Sequence, residues 1–241
     1  MTTLPNRLIR PPRVDLSERV EGRLARNDLR NVVTSVAGAG VILAAFLTPF
    51  LRKSRSHWGV ELAEAGAPHP GDSLVPEPLW AWTHGIEVRE RAEYVWPWVA
   101  QIGADRAGFY SYQGLENLVG CGLRNANAIH PDWELELGDH LLLHPQAPPL
   151  VISNYEREHY FVAHAPLDEA ARGAGKPWAT MTWLLQLEPL DSSRCRLISR
   201  FRVAHSSEIA TRLWLGPTLL EPIGFAMDRR MLRGIKARAE W

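Results

Sequence analysis

The chain has 241 residues, 46% hydrophobic and 22% charged, which suits one large domain with an appendage and excludes a mainly disordered protein. Its 27 basic and 27 acidic residues balance, but residues 1–55 carry a net charge of +6 and the remainder −6. An acidic main domain argues against a nucleic-acid-binding protein, which needs a basic face. Cys121 and Cys195 are too few and too far apart for a zinc cage or a disulfide framework. Unpaired thiols are expected, and a single bridge between the two is the alternative if the domain lies outside a reducing compartment.

The N-terminal part divides into a polar leader and an uncharged stretch. Residues 1–30 hold seven arginines interleaved with four acidic residues, and a polar helix is expected over residues 17–30. Residues 31–51, NVVTSVAGAGVILAAFLTPFL, contain no charge. About 20 apolar residues cross a bilayer as a helix, so this stretch predicts a single-pass membrane helix. The alternative is a buried helix of a soluble protein, because Thr, Ser, Gly and Pro residues dilute its hydrophobicity.

The charges on either side of residues 31–51 bear on the orientation in the membrane. Seven arginines precede the stretch and three basic residues follow it, which favours a cytoplasmic N-terminus and an exported main domain. Counting only nearby charges reduces the difference to four against three, so the orientation stays open. Gly40, Ala44 and Thr48 recur at every fourth position, a spacing that lets another membrane helix approach and suggests self-association.

Residues 52–78 are rich in Gly, Ala and Pro and are expected to form a linker that wraps onto the domain, pinned by Trp58. Alternation of apolar residues from Leu79 to Glu90 then predicts a strand, the first element of a main domain that covers residues 79–241. His84 lies on the apolar face of this strand, where a satisfied core histidine is expected rather than a metal ligand.

The stretch YVWPWVAQIGADRAGFYSYQGLENLVG at residues 94–120 predicts two short helices joined by an aromatic loop. Apolar residues from Val95 to Ile102 follow the i, i+3, i+4, i+7 spacing of one helical face, and a shorter apolar face runs from Tyr112 to Val119. The loop holds three aromatics in four positions, 109–112. They can line an apolar pocket and offer phenol hydroxyls, or pack as ordinary core, and both interpretations stay open.

Three residues of this region are candidates for acid–base catalysis. Glu116 lies beside the apolar face of the second helix, where burial can raise its pKa; capping, pairing with an arginine or solvation are the alternatives. His130 precedes Asp132 by two positions, but no Ser or Cys nucleophile stands in a recognisable elbow, and a turn explains the pattern more economically. Tyr110 offers its phenol from the aromatic loop.

The second half of the chain predicts an antiparallel sheet followed by one long helix. From Leu220 an apolar stripe opposed by basic residues predicts an amphipathic helix whose apolar face lies in the concavity of the sheet and whose basic face is mostly solvated. The last hairpin of the sheet has one apolar face and one arginine-rich face that is expected to be solvated. Alternation places the strands at residues 150–155, 159–165, 178–187 and 194–205.

Neither a metal nor a cofactor is expected. His140 and His144 share one face of a strand, but the sequence places no third ligand beside them. The GAGK at residues 173–176 departs from a phosphate loop, which requires Gly where Ala170 stands and Ser or Thr where Pro177 stands.

Three phrases carry a family resemblance: W-P-W at residues 96–98, G-F-Y-S-Y at 108–112 and L-E-N-L at 115–118. With these phrases and its order of elements, the chain from Leu79 to Glu240 resembles the SRPBCC or START-like superfamily, and more narrowly its bacterial members with an N-terminal membrane helix. The resemblance implies an α+β helix-grip fold, in which a curved antiparallel β-sheet surrounds a long C-terminal α-helix and two short helices follow the first strand.

The superfamily includes lipid and hormone binders, polyketide cyclases, oxygenase subunits and coenzyme-Q-binding proteins, so the resemblance does not specify one function. It implies no catalytic role that transfers to a residue of this chain. A curved sheet and its helix cannot meet along their whole length, which predicts an apolar tunnel between them. The expected ligand-binding residues are Trp98, Phe109, Tyr110, Tyr112, Met181, Trp183, Phe201, Phe225 and Met227.

The resulting hypothesis is a membrane-anchored binding or carrier protein for a hydrophobic small molecule, either a lipid, a quinone or a polyketide-like compound. One alternative is a cyclase- or hydrolase-type enzyme that uses Glu116, His130 or Tyr110 as acid or base. Another is a partner-binding domain without a ligand, for which the core would be filled.

Overall fold

The computed structural model describes residues 16–241, with side chains from residue 29 onward. The N-terminal part consists of helix α1 (Leu16–Leu47), a 3₁₀ turn (Pro49–Leu51), α2 (Arg52–Arg55), α3 (Leu62–Gly66) and a second 3₁₀ turn (Asp72–Leu74). The main domain begins with β1 (Trp80–Val88), α4 (Ala92–Ala100) and α5 (Gln113–Leu118). It continues with β2 (His140–Leu141), β3 (Leu150–Glu156), β4 (Tyr160–Ala165), α6 (Glu169–Gly173), β5 (Ala179–Asp191), β6 (Arg194–His205), α7 (Ile209–Leu215) and α8 (Leu220–Ala239).

The strands form one sheet in the order β1-β6-β5-β4-β3-β2, and every pair is antiparallel. The first strand therefore pairs with the last, and the long helix α8 packs on both of them. Two short helices, α4 and α5, follow the first strand. This arrangement confirms the predicted α+β helix-grip fold. Cys121 and Cys195 are both free thiols.

Aromatic rings occupy the space where α8 crosses the sheet. Trp82 of β1 stacks on Phe201 of β6 with ring centroids 4.6 Å apart. Helix α8 approaches these rings at Gly224, where an added Cβ would lie 2.5 Å from the Trp82 ring. The absence of a side chain at this position thus lets the helix pack directly on the sheet.

A buried polar cluster fixes α8 to the sheet beside these rings. His84 contacts Asp228 through Nδ1 at 2.5 Å and the Arg55 carbonyl through Nε2 at 3.0 Å. Both ring nitrogens of His84 are thus occupied by oxygen partners. The second Asp228 oxygen accepts from Ser199 at 2.7 Å, and Ser199 accepts from the Trp183 indole at 3.1 Å. His84 is therefore a core histidine with satisfied hydrogen bonds, in agreement with the sequence analysis.

The outer face of the sheet is covered by residues 56–78, which we call the strap. Arg200 donates to Asp72 at 2.8 Å and to the Ala65 carbonyl at 2.9 Å. Arg202 donates to the Val75 carbonyl at 3.0 Å. The prediction that this arginine-rich face is solvated is therefore wrong, because carboxylates and main-chain carbonyls of the strap take the place of water.

We expect Asp72→Asn to lower the free energy of unfolding by about 2 kcal/mol, because the buried Arg200 guanidinium loses its charged acceptor. Urea denaturation measures the change. Glu77→Gln, an exposed substitution in the same segment, is the control and should change stability by less than about 0.5 kcal/mol. Equal effects of the two substitutions would contradict the conclusion that the Asp72 carboxylate of the strap stabilises the protein through Arg200.

Helix α1 lies along the domain, antiparallel to α8. Its face of small and polar residues makes the contact: an added Cβ at Gly38 would lie 2.8 Å from the Tyr112 ring, and Ser35 Oγ lies 2.3 Å from the Cβ position of Gly114 in α5. At the other end, Arg55 forms a buried ion pair with Glu221 at the start of α8. The sequence predicted a membrane helix, or alternatively a buried one, followed by a linker that wraps onto the domain. In the structure, α1 itself also packs against the domain.

The opposite face of α1 is apolar and exposed. Residues 29–47 form a helix long and apolar enough to cross a membrane, and only 11% of it is buried within the protein. This bears out the predicted apolar helix but does not show that it crosses a membrane. The exposed apolar side chains include Val32, Val33, Val36, Leu43 and Leu47.

Candidate functional site

A cavity of about 620 Å³ lies between α1, the C-terminal half of α8 and the segment of residues 110–127. It is thus not enclosed between the sheet and α8, where the sequence analysis expected a tunnel. The aromatic residues of its lining are Trp98, Tyr110 and Trp241. The polar residues of its lining are Arg30, Asn31, Thr34, Ser111, Gln113, Arg124, Asn125, Asn127, Arg230 and Arg238.

Tyr110 is the best-fixed residue of the cavity wall. Its backbone has φ of +56°, which is unusual for a residue other than glycine, and its amide donates to Asn125 Oδ1 at 2.6 Å. Its hydroxyl accepts from Gln101 Nε2 at 2.7 Å. Helix α8 passes directly behind it at Gly234, where a Cβ would lie 2.2 Å from the Tyr110 carbonyl oxygen.

Burial raises the pKa of the Tyr110 phenol above its ordinary value, while the Gln101 hydrogen bond and the charges of Arg238 and Arg106 act in the opposite direction. The phenol therefore stays protonated near neutral pH. It can donate a hydrogen bond, but it is a poor general base.

The structure separates the expected ligand-binding residues into two groups. Trp98 and Tyr110 border the cavity, and Tyr112 borders a smaller recess of about 160 Å³ between α1 and the basic face of α8. The other six border neither space. Trp183 and Phe201 are buried in the core with Phe109 and Met181 against them, Phe225 lies edge-on to His84, and the Met227 carbonyl accepts from Ser111.

The three catalytic candidates do not share a site. Gln101 links two of them, because its Nε2 donates to the Tyr110 hydroxyl and its Oε1 accepts from the His130 amide at 3.0 Å. The His130 side chain itself is exposed and packs on Trp133, with ring centroids 4.1 Å apart. Only Tyr110 borders the cavity.

Glu116 is buried within α5, and within the described part of the chain its Oε2 has no hydrogen-bond partner. Burial raises the pKa of this carboxyl to about 7. Glu116 borders neither the cavity nor the recess. Its raised pKa therefore results from the packing around α5 and does not mark a binding site.

The arginines of the cavity wall are the functional residues that sequence reasoning missed. Arg30 was assigned to the leader, and Arg230 and Arg238 to a basic helix face expected to be mostly solvated. The structure instead places Arg230 against Tyr112, with its guanidinium 5.8 Å from the ring centroid, and Arg238 over Tyr110 at 4.5 Å. Across residues 29–241, no cluster of three or more His, Cys, Asp or Glu side chains is placed to hold a metal ion.

Several solved structures resemble this fold at low sequence identity. A hypothetical protein of Helicobacter pylori has a TM-score of 0.39 at 12% identity, and the match covers 71% of this chain and 95% of that one. Norcoclaurine synthase of Thalictrum flavum has a TM-score of 0.34 at 13% identity, covering 64% and 91%. A polyketide cyclase-like protein of Corynebacterium glutamicum has a TM-score of 0.30 at 15% identity, covering 67% and 91%.

No protein-family model matches the sequence, and no curated protein matches it. Identities this low and TM-scores below 0.5 transfer no function to the chain. The fold assignment follows from its own strand order and its closing helix.

Proposed function

We propose that this chain is a membrane-attached binding protein for a hydrophobic small molecule that carries a polar group. The observation that supports it most is the position of the cavity, which opens beside α1, the helix whose other face is apolar and exposed. Its volume of about 620 Å³ lies within the range of roughly 300–1,000 Å³ that is typical of small-molecule sites. A lining that combines aromatic residues with polar and charged ones suits an amphiphile.

The exposed face of α1 supports attachment to a membrane. Val36 is 68% exposed, Leu47 is 70% exposed and Phe50, just after the helix, is 77% exposed. A contiguous exposed apolar surface of this kind marks a site of contact with a membrane or a partner. Arg52 and Lys53 follow it and suit contact with anionic lipid headgroups.

In this proposal α1 stays on α8 and lies in the membrane interface with its apolar face toward the acyl chains. A helix that packs along the domain on one side cannot cross the bilayer at the same time. Crossing, as the sequence alone suggests, would require α1 to leave α8 and to break the buried contact between Arg55 and Glu221.

Flotation of the full-length chain with vesicles of phosphatidylcholine and phosphatidylglycerol tests the attachment. We expect the wild type to float with the vesicles and Val36→Glu/Leu43→Glu to lose at least about tenfold in partitioning, since two apolar contacts are replaced by charges. The matched control is Leu190→Glu, an exposed leucine at the end of β5, which should float like the wild type. A wild type that stays in the soluble fraction would contradict the proposal.

A further inference from the structure

We infer that the cavity between α1 and α8 is a binding site for an oxyanion, namely a phosphate or carboxylate group. This inference deepens the proposed function and rests on it for the apolar part of the ligand. The oxyanion itself can belong to an amphiphile in the membrane or to a free small anion, and the experiment below distinguishes these two sources.

The charge around the cavity is one-sided. Four arginines border it, one from α1, one from the loop before β2 and two from α8, and no Asp or Glu borders it within the part of the chain whose side chains are described. In that same part, none of the four forms an ion pair. They are Arg30, Arg124, Arg230 and Arg238.

The arginines of the sheet show the contrast. Arg196 and Arg200 each have a carboxylate at 2.6–2.8 Å, from Glu64 and Asp72. These two carboxylates hold the arginines on the outer face of the sheet. Among residues 29–241, the four cavity arginines have no such carboxylate, as a site for a negatively charged ligand requires.

Arg238 is held rigidly but by neutral groups. Its Nε donates to the Ala126 carbonyl at 2.9 Å, its Nη1 donates to the Gly234 carbonyl at 3.0 Å, and its plane lies over the Tyr110 ring. Burial lowers the pKa of Arg238, and the nearby charges of Arg230 and Arg30 lower it further, while Tyr110 acts in the opposite direction. The like charges therefore repel one another, and a bound anion would relieve that repulsion.

Arg230 retains an unused donor at the same place. Its Nε is buried and has no hydrogen-bond partner within residues 29–241. Arg230 borders both the cavity and the smaller recess, so a ligand in either space can reach it. The planar guanidinium presents its donors in a fork that matches the oxygens of a phosphate or carboxylate.

The position of the site along α1 fits an amphiphile with an anionic head. Arg30 stands at the start of the apolar stretch of residues 29–47, and Asn31 and Thr34 of the cavity wall follow within one helical turn. A phosphate bound there would lie at the end of α1 where its apolar stretch begins.

Titration calorimetry of the full-length chain in a neutral maltoside detergent tests the inference with three probes: dihexanoyl phosphatidic acid, dihexanoyl phosphatidylcholine and inorganic phosphate. We expect the phosphatidic acid to bind at least about tenfold more tightly than the phosphatidylcholine, with an affinity that falls as salt is added. Arg124→Gln and Arg230→Gln should each weaken phosphatidic acid about tenfold, by loss of a charge-assisted hydrogen bond. Arg212→Gln, an exposed arginine on α7, is the control and should bind like the wild type.

The outcomes separate this inference from the proposed function. Phosphate binding that Arg124→Gln weakens, without binding of either lipid, would support the oxyanion site and contradict the amphiphile. Equal affinities for the two lipids, unchanged in Arg124→Gln, would overturn the oxyanion site and leave the amphiphile-binding function standing. Arg124 is exposed on a loop, so its replacement does not endanger the fold, and circular dichroism verifies the fold of the Arg230→Gln variant.

Discussion

Arg55→Met is expected to lower the free energy of unfolding by about 3–5 kcal/mol, the cost of removing one partner from a buried ion pair. Arg55 donates to both carboxylate oxygens of Glu221 at 2.8 Å, and both side chains are less than 10% exposed. The substitution leaves the Glu221 carboxylate buried without its partner. The same guanidinium donates to the Thr48 carbonyl, so its loss also loosens the end of α1.

Chemical denaturation of the full-length chain measures this effect, and two variants serve as controls. Lys53→Met removes an exposed charge two residues earlier in the same helix and should change stability by less than about 0.5 kcal/mol. Arg55→Met/Glu221→Leu replaces both charges by apolar groups and should recover most of the loss, because no charge is then left buried. A double variant as unstable as Arg55→Met would show that packing, not charge, explains the loss.

Glu116→Gln should stabilise the protein at alkaline pH, by up to about 3 kcal/mol at pH 8. The Glu116 pKa is raised by burial from 4.5 to about 7, a difference that corresponds to about 3 kcal/mol between the two protonation states. Below pH 4.5 the carboxyl is protonated in both the folded and the unfolded chain, and the advantage of the amide vanishes. Between pH 4.5 and 7 the folded chain binds more protons than the unfolded one, so the wild type loses stability as the pH rises.

Denaturant unfolding of the wild type and Glu116→Gln at pH 4.5, 6 and 8 measures the difference. The exposed Glu169→Gln on α6 is the matched control, and its difference from the wild type should not follow this curve. A Glu116→Gln difference that is constant from pH 4.5 to 8 would contradict a buried, uncompensated carboxyl.

The strands and helices of the main domain could be predicted from the sequence, because one face of the sheet is buried against the core and apolar residues alternate along its strands. The alternation at 194–205 gives β6 at its observed bounds, and the apolar stripe from Leu220 gives the observed start of α8. The apolar face from Val95 likewise gives α4, although Pro97 lies inside it. The spacing of apolar residues predicts which face of a strand or helix is buried, but it does not predict which segment of the chain packs against that face.

The contacts of the N-terminal part could not be predicted for that reason. Arg200 meets Asp72 across 128 positions of sequence, and the strap has no period that would place it on the sheet. The uncharged stretch predicted a membrane helix from composition alone. The helix docks through small residues: Gly38 packs against the Tyr112 ring, and Ser35 packs against Gly114. A face of small residues is equally typical of contact with another membrane helix, so the local sequence does not distinguish the two.

The cavity follows from the same docking. Trp98 and Tyr110 were expected to line a binding site, but that site was expected between the sheet and α8. The arginine wall forms only when α1 lies along α8, which brings Arg30 close to Arg238, a residue far along the chain. The proposed binding role of these arginines therefore depends on α1 being docked along α8.

The most direct test of that position is the rate of maleimide labelling of two single-cysteine variants in vesicles, Thr34→Cys on the cavity side of α1 and Val36→Cys on its apolar side, both with Cys121 and Cys195 replaced by serine. We predict that vesicles protect Val36→Cys alone, and that dihexanoyl phosphatidic acid then slows the labelling of Thr34→Cys. Protection of both positions by vesicles without that ligand would mean that α1 leaves α8 to enter the bilayer, and it would contradict the docked cavity.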